Sequence, residues 1–204
     1  MNRRFAAAAL ALLASGSAFG QQAPPPPPSC ELHFWGSEEA LTSNYSGVGG
    51  VVGAALAGPR PQTGAGLSGD LPPTAQAEAL RRLDLAALLK MPGVQVIEEP
   101  RPLVAKAGRP GPRLTASKAP CYAELVVDMI GYSSHITAGR KFGARFILRR
   151  FAGGAATARI DKGGVNVGLK IYPAKKPENH SAGLDELAAA FGRTASRFLA
   201  GKAR

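Results

Sequence analysis

Cysteine, histidine and tryptophan are scarce in this chain: its 204 residues hold two Cys, three His and one Trp. So few soft or nitrogen ligands argue against a multi-ligand zinc site and an iron–sulfur centre. Acids are also few, with 14 Asp and Glu against 25 Lys and Arg, a formal charge of +11. No apolar run reaches the ~20 residues of a spanning helix. Neither a heptad nor a Gly-x-x period runs through the chain, which excludes a coiled coil and collagen. The local scaffolds of catalysis are missing too. There is no H-x-x-x-H, H-E-x-x-H, C-x-x-C or G-x-S-x-G, so no metal, cofactor or catalytic residue is assigned.

What is present first is an export signal. Asn2, Arg3 and Arg4 precede the apolar stretch Phe5–Ala14, and Ala18-Phe19-Gly20 supplies a small-residue cleavage site. Cleavage after Gly20 is expected, and it leaves no transmembrane helix in the mature chain. Residues 21–29 include the run Pro24–Pro28, an extended polyproline spacer. Cys30 lacks a lipobox before it. In a periplasmic or secreted protein the pair Cys30 and Cys121 is expected to form a disulfide. Each precedes a strand-like run, Glu31-Leu-His-Phe-Trp and Tyr122-Ala-Glu-Leu-Val-Val. The alternative is two unpaired buried thiols.

Residues 30–204 then read as a single α+β domain: an antiparallel or mixed sheet of about five strands with helices packed on it. Leu32–Trp35 is a first strand. Gly47–Gly58 is small and apolar, and fits a helix packed closely on a neighbour. Residues 59–73, rich in Gly and Pro, are expected to be loop. Within them Gly64–Gly69 spells G-x-G-x-x-G, yet the strand and helix that a dinucleotide site requires do not flank it. Thr74–Met91 is a helix capped by Thr74, stopped by Pro92-Gly93, with a possible break near Asp84. Leu80, Leu83, Ala87 and Leu88 share one face of it, and Leu85 and Leu89 widen that face. Val94–Glu99 is a second strand, in which Glu98 and Glu99 point to opposite faces. Residues 100–120 are a long loop with five prolines, five bases and no acid.

Period-two alternation marks three more strands, around Ala123–Met129, Lys141–Arg149 and Val165–Ile171. An antiparallel meander is their simplest joining. Glu124 and Asp128 share one strand face, and are expected to be solvated and balanced by Arg145 and Arg149 on the neighbouring strand. Leu184, Leu187, Ala188, Phe191, Ala195, Phe198 and Leu199 form the stripe of a last helix that covers the sheet. Histidines are dispersed: His33 in the first strand, His135 in a polar turn, His180 before the last helix.

Charge is unevenly spread, at −4 over residues 30–100 and +12 over residues 101–176. Lys141, Arg145 and Arg149 recur every fourth residue and so share a sheet face. The loop adds Arg101, Lys106, Arg109, Arg113 and Lys118. Together they form either a merely solvated surface or one that attracts anionic lipid headgroups, lipopolysaccharide or an acidic envelope protein. Nucleic acid is not an expected partner, because the chain is exported and shows no recognised motif.

The run Cys121-Tyr-Ala-Glu-Leu-Val-Val-Asp-Met-Ile-Gly131 after the loop, and the later Ile160-Asp-Lys-Gly163, give the chain a resemblance to envelope α/β modules. These are the amino-terminal domain of TolB and the periplasmic domain of the curli secretion channel. The long basic loop departs from their pattern. The resemblance implies a non-enzymatic role in envelope assembly or scaffolding. The expected function is therefore an exported, non-catalytic binding or scaffolding protein of the bacterial cell envelope. The alternative is a small periplasmic hydrolase using His135, Asp128 and Ser133 or Ser134.

Overall fold

The computed structural model describes residues 30–45, 62–63, 65–100, 107–135, 139–151 and 155–202. The expected signal, the proline spacer, the 47–58 stretch, Arg101 and Lys106 lie outside the described residues. Strands are β1 (Glu31–Trp35), β2 (Ala40–Tyr45), β3 (Gln62–Thr63), β4 (Gln95–Glu98), β5 (Tyr122–His135), β6 (Gly139–Arg150) and β7 (Arg159–Leu169). Helices are α1 (Ala65–Asp70), α2 (Pro73–Arg81), α3 (Leu85–Leu89) and α4 (His180–Lys202). They form an α+β fold, and none of these helices is long and apolar enough to cross a membrane.

β5 is the spine of a mixed seven-stranded sheet. Along one edge it holds β1 at residues 122–126 and β2 at residues 130–135, both parallel. Its other edge carries the antiparallel meander β5–β6–β7. β4 pairs parallel with β1, with Phe34 opposite Glu98. Parallel neighbours need a crossover, and α1, α2 and α3 lie in the chain that joins β1 to β4. His135, expected in a turn, closes β5, because pairing with Gly139 continues the ladder to that point.

Leu32 and Phe34 point inward onto the helices, as do Leu125, Val127, Phe146 and Leu148 from β5 and β6; all are buried. From α4 come Leu187, Phe191, Ala195, Phe198 and Leu199, the expected stripe. Phe146 stacks on Phe198 at 5.2 Å and lies 5.8 Å from Phe191. Gly163 lets this happen: a Cβ there would sit 3.3 Å from the Phe198 ring. Glu186 fastens the helix to the end of β7 by accepting the backbone N–H groups of Lys170, Ile171 and Tyr172. Burial acts to raise its carboxyl pKa, but those three donors and Arg140 outweigh it and hold the group below the usual range.

Two helical expectations need correction. Residues 65–70 form α1 rather than loop, because Leu67 and Leu71 are one turn apart and both buried. The G-x-G-x-x-G letters mostly fall within that helix. Thr74 does not cap α2; Pro73 opens it with Pro72 at the cap position and no side-chain cap. The break near Asp84 is present, and Asp84 accepts the N–H of Ala87 to start α3. The break rotates the second helix, so Leu85 turns inward and Ala87 outward. Buried Gln76 docks α2 on the end of β1, giving its amide to the carbonyls of Ser37 and Leu71 and accepting the N–H of Ser37. Gly36 permits the approach, since a Cβ there would meet Pro73 at 2.6 Å.

Cys30 and Cys121 are joined, with Cα atoms 4.6 Å apart. The bond ties the starts of β1 and β5, where Glu31 N–H also donates to the carbonyl of Cys121.

Phe198→Ala is expected to cost roughly 3–5 kcal/mol, and Phe198→Asp to prevent folding, because an unpaired carboxylate would replace the ring. Urea unfolding measures both. A loss under about 1 kcal/mol for the alanine variant would show that α4 does not seal the core. Replacing both cysteines by Ser should lower stability by about 2–4 kcal/mol. Non-reducing peptide mapping of the native protein should recover the two cysteine peptides joined.

Candidate functional site

Strand alternation aims Glu31, His33 and Trp35 of β1 away from the helices, to the outer sheet face. The parallel register with β4 puts Ile97 beside His33, and Glu99 follows on the same side. His33 is buried and lies between two carboxylates. Its Nδ1 is 2.6 Å from Glu99 Oε1, and its Nε2 is 3.0 Å from Glu31 Oε2. Each contact needs a proton, because a carboxylate only accepts, so these three groups share two protons. The ring rests on Tyr122, with centroids 4.9 Å apart. The Ser117 hydroxyl donates to Glu31 Oε2. That bond first, then the bond to His33, holds the Glu31 carboxyl below its usual range.

The second wall is the segment 114–119, and a buried ion pair holds it there. Glu124 and Arg149 are almost fully covered, and Arg149 Nη1 donates to Glu124 Oε2 at 2.8 Å. Arg149 Nη2 donates to the carbonyls of Gly111 and Pro112 at 3.0 and 2.9 Å. Glu124 Oε1 accepts the N–H of Leu114 and the hydroxyl of Tyr122 at 2.6 and 2.7 Å. Burial, above all, pushes the Tyr122 hydroxyl pKa up, so it stays a donor at neutral pH. Arg113 lies over the Tyr122 ring at 4.3 Å and donates to the carbonyl of Ser117. Beneath the segment, Trp35, Ala107, Val126 and Ile147 form a small outer core with Leu114. Between the walls lies an open groove of about 730 Å³, with Glu31, His33 and Glu99 on its floor and Ser117 and Lys118 on its rim.

The expected anion-binding residues are therefore dispersed. Lys141, Arg145 and Arg149 do share a sheet face, but Arg149 is buried beneath the loop and spent on Glu124, so the expected three-residue face does not form. The expectation that Glu124 is solvated fails for the same reason. Arg145 pairs with Asp128, a bulge residue of β5, as expected. Lys141, Arg109 and Lys118 are exposed, whereas Arg113 is committed to Tyr122 and Ser117. The hydrolase residues do not assemble. Asp128 and His135 lie on one extended strand, seven residues and so roughly 23 Å apart. Among the described residues, no group of three or more His, Cys, Asp or Glu is placed to hold a metal ion.

The Glu31–His33 pair is visible in the sequence as an i, i+2 repeat on a strand. Glu99 and Ser117 join it only through the β1–β4 register and the loop fold.

No family model matches the chain, and no curated protein matches it. A crystal structure of an uncharacterized protein aligns over 87% of this chain and 95% of its own at 12% identity, with a TM-score of 0.33, and carries no argument about this one.

The ion pair supplies a test. Glu124→Gln or Arg149→Met alone should cost about 3–5 kcal/mol by stranding the partner. The double variant Glu124→Leu/Arg149→Met should recover much of that loss in urea unfolding, while releasing segment 111–117 to proteolysis. Additive losses would show that the two side chains act independently.

Proposed function

We propose that this chain is an exported, non-catalytic binding or scaffolding protein of the bacterial cell envelope, and that the His33 groove receives its ligand. The observation that carries this reading is the direction of the Ser117 hydrogen bond. Its hydroxyl is turned to the Glu31 carboxylate, not to the imidazole, so the groove has no nucleophile on a neutral base. Glu31 itself is a weak base, because two hydrogen bonds stabilise its ionised form. Each carboxylate keeps one oxygen with no partner among the described residues. Those oxygens suit a ligand that offers ammonium or hydroxyl donors.

Export rests on the tripartite amino terminus and accords with a disulfide that joins the two cysteines. The resemblance to the TolB amino-terminal domain and the curli channel module points the same way. Arg109, Lys118 and Lys141, exposed and without an ion-pair partner among the described residues, support a second contact, with an anionic component of the envelope.

Intact-mass measurement of envelope protein should show loss of about 20 amino-terminal residues; retention of Met1 there would overturn export. A photocrosslinking residue at exposed Ala116, on the groove wall, should trap a discrete partner, and one at exposed Glu178 should not. His33→Ala should remove the adduct. Turnover of an ester, phosphate or peptidoglycan substrate that Ser117→Ala abolishes would replace the binding reading with a catalytic one.

A further inference from the structure

On the opposite side of the sheet, α2 and α4 enclose a second groove, of about 400 Å³. Leu83, Ala188 and Gly192 pave it, and its one hydroxyl is that of Ser196. Arg82 stands on one bank, and Arg193 and Arg197 on the other, one helical turn apart. All three arginines are exposed, and none has an ion-pair partner among the described residues. No acid lines the groove.

We propose that this groove seats one acyl chain of an anionic phospholipid, with its phosphate held by Arg82, Arg193 and Arg197. Three features select this occupant. The floor is aliphatic, so it favours hydrocarbon. One wall is the middle of α4, whose backbone donors and acceptors are used internally, so an extended peptide finds no main-chain partners along it. The lining carries three exposed arginines, whose planar, multidentate guanidiniums match phosphate oxygens. The proposal rests on the anion-facing part of the functional reading and does not involve the His33 groove. Its failure and the failure of that groove are therefore separate results.

The test uses the mature chain with vesicles of phosphatidylcholine containing 30% phosphatidylglycerol, and with pure phosphatidylcholine vesicles, in a sedimentation assay. Binding is expected to the anionic vesicles, weakened but not abolished at 0.15 M salt. An arginine near an anionic surface is worth roughly fivefold in partitioning, so Arg82→Gln/Arg193→Gln/Arg197→Gln should lose about a hundredfold. Ala189→Glu, an exposed change at the groove margin, should also weaken binding severalfold while thermal unfolding stays unchanged. Lys141→Gln/Lys118→Gln on the outer face should bind as the wild type does. Soluble dihexanoylphosphatidylglycerol should compete better than glycerophosphate or inorganic phosphate. Equal competition by the three would show a headgroup-only site and overturn the acyl-chain assignment. Binding that follows Lys141 and Lys118, or that survives the triple arginine change, would overturn the site.

Discussion

Glu124 and Arg149 form a charged pair in a place where charges are costly, and the outer half of the molecule depends on how that cost is offset. Removing two ions from water costs several kcal/mol each, and their attraction compensates only when further hydrogen bonds complete the shell. Here the shell is nearly complete. Leu114 N–H and the Tyr122 hydroxyl serve the carboxylate, and two loop carbonyls serve the guanidinium. Only Arg149 Nε is left without a partner in the buried set around this pair. Most of those partners belong to the segment 107–120. The pair is therefore satisfied only when the loop lies over the sheet, and the loop stays there because it satisfies the pair.

Once the loop is placed, the groove follows. Its floor belongs to β1 and β4, aligned by the parallel register; its far wall is the clamped segment. The disulfide sets the same alignment from the other end, because it fixes the first residues of β1 and β5 side by side. Hydrophobic layers on the two sheet faces differ accordingly. The helix side holds the large core, and the loop side a small one of Trp35, Val126, Ile147 and their neighbours. A polar cluster such as Glu31–His33–Glu99 is tolerable on the loop side because the groove keeps it in reach of water.

What the sequence made legible was local. The α4 stripe, the meander and the cysteine pair depend on spacing within one element or on a count of two, and these expectations agree with the structure. The α1 helix was hidden by Gly66, Gly69 and the flanking prolines, although Leu67 and Leu71 carried the helical spacing. The buried ion pair was hidden for a different reason. Charges at alternate strand positions look like a solvated face, and periodicity cannot say whether a distant loop covers them. The overlooked signal was apolar: Val126 and Ile147 sit on that supposedly wet face, with Tyr122 beside them. The His33 cluster required a register between strands that only the folded chain defines.

Charge gives the sharpest case of a linear pattern that does not become a spatial one. Residues 101–176 carry +12 in sequence, yet their three acids each meet an arginine of the same stretch: Glu124 with Arg149, Asp128 with Arg145, Asp161 with Arg150. Arg140 is spent on the carbonyls at residues 170–173, and Arg113 on Tyr122. Five of the block's fifteen bases are thus engaged in holding its own sheet and loop. The arginines left without partners around the helical groove come from elsewhere, Arg82 from the stretch that is net acidic and Arg193 and Arg197 from the nearly neutral carboxy-terminal one. A surface potential belongs to the groups that folding leaves unpaired, and those are set by packing rather than by the block of sequence in which a charge is found.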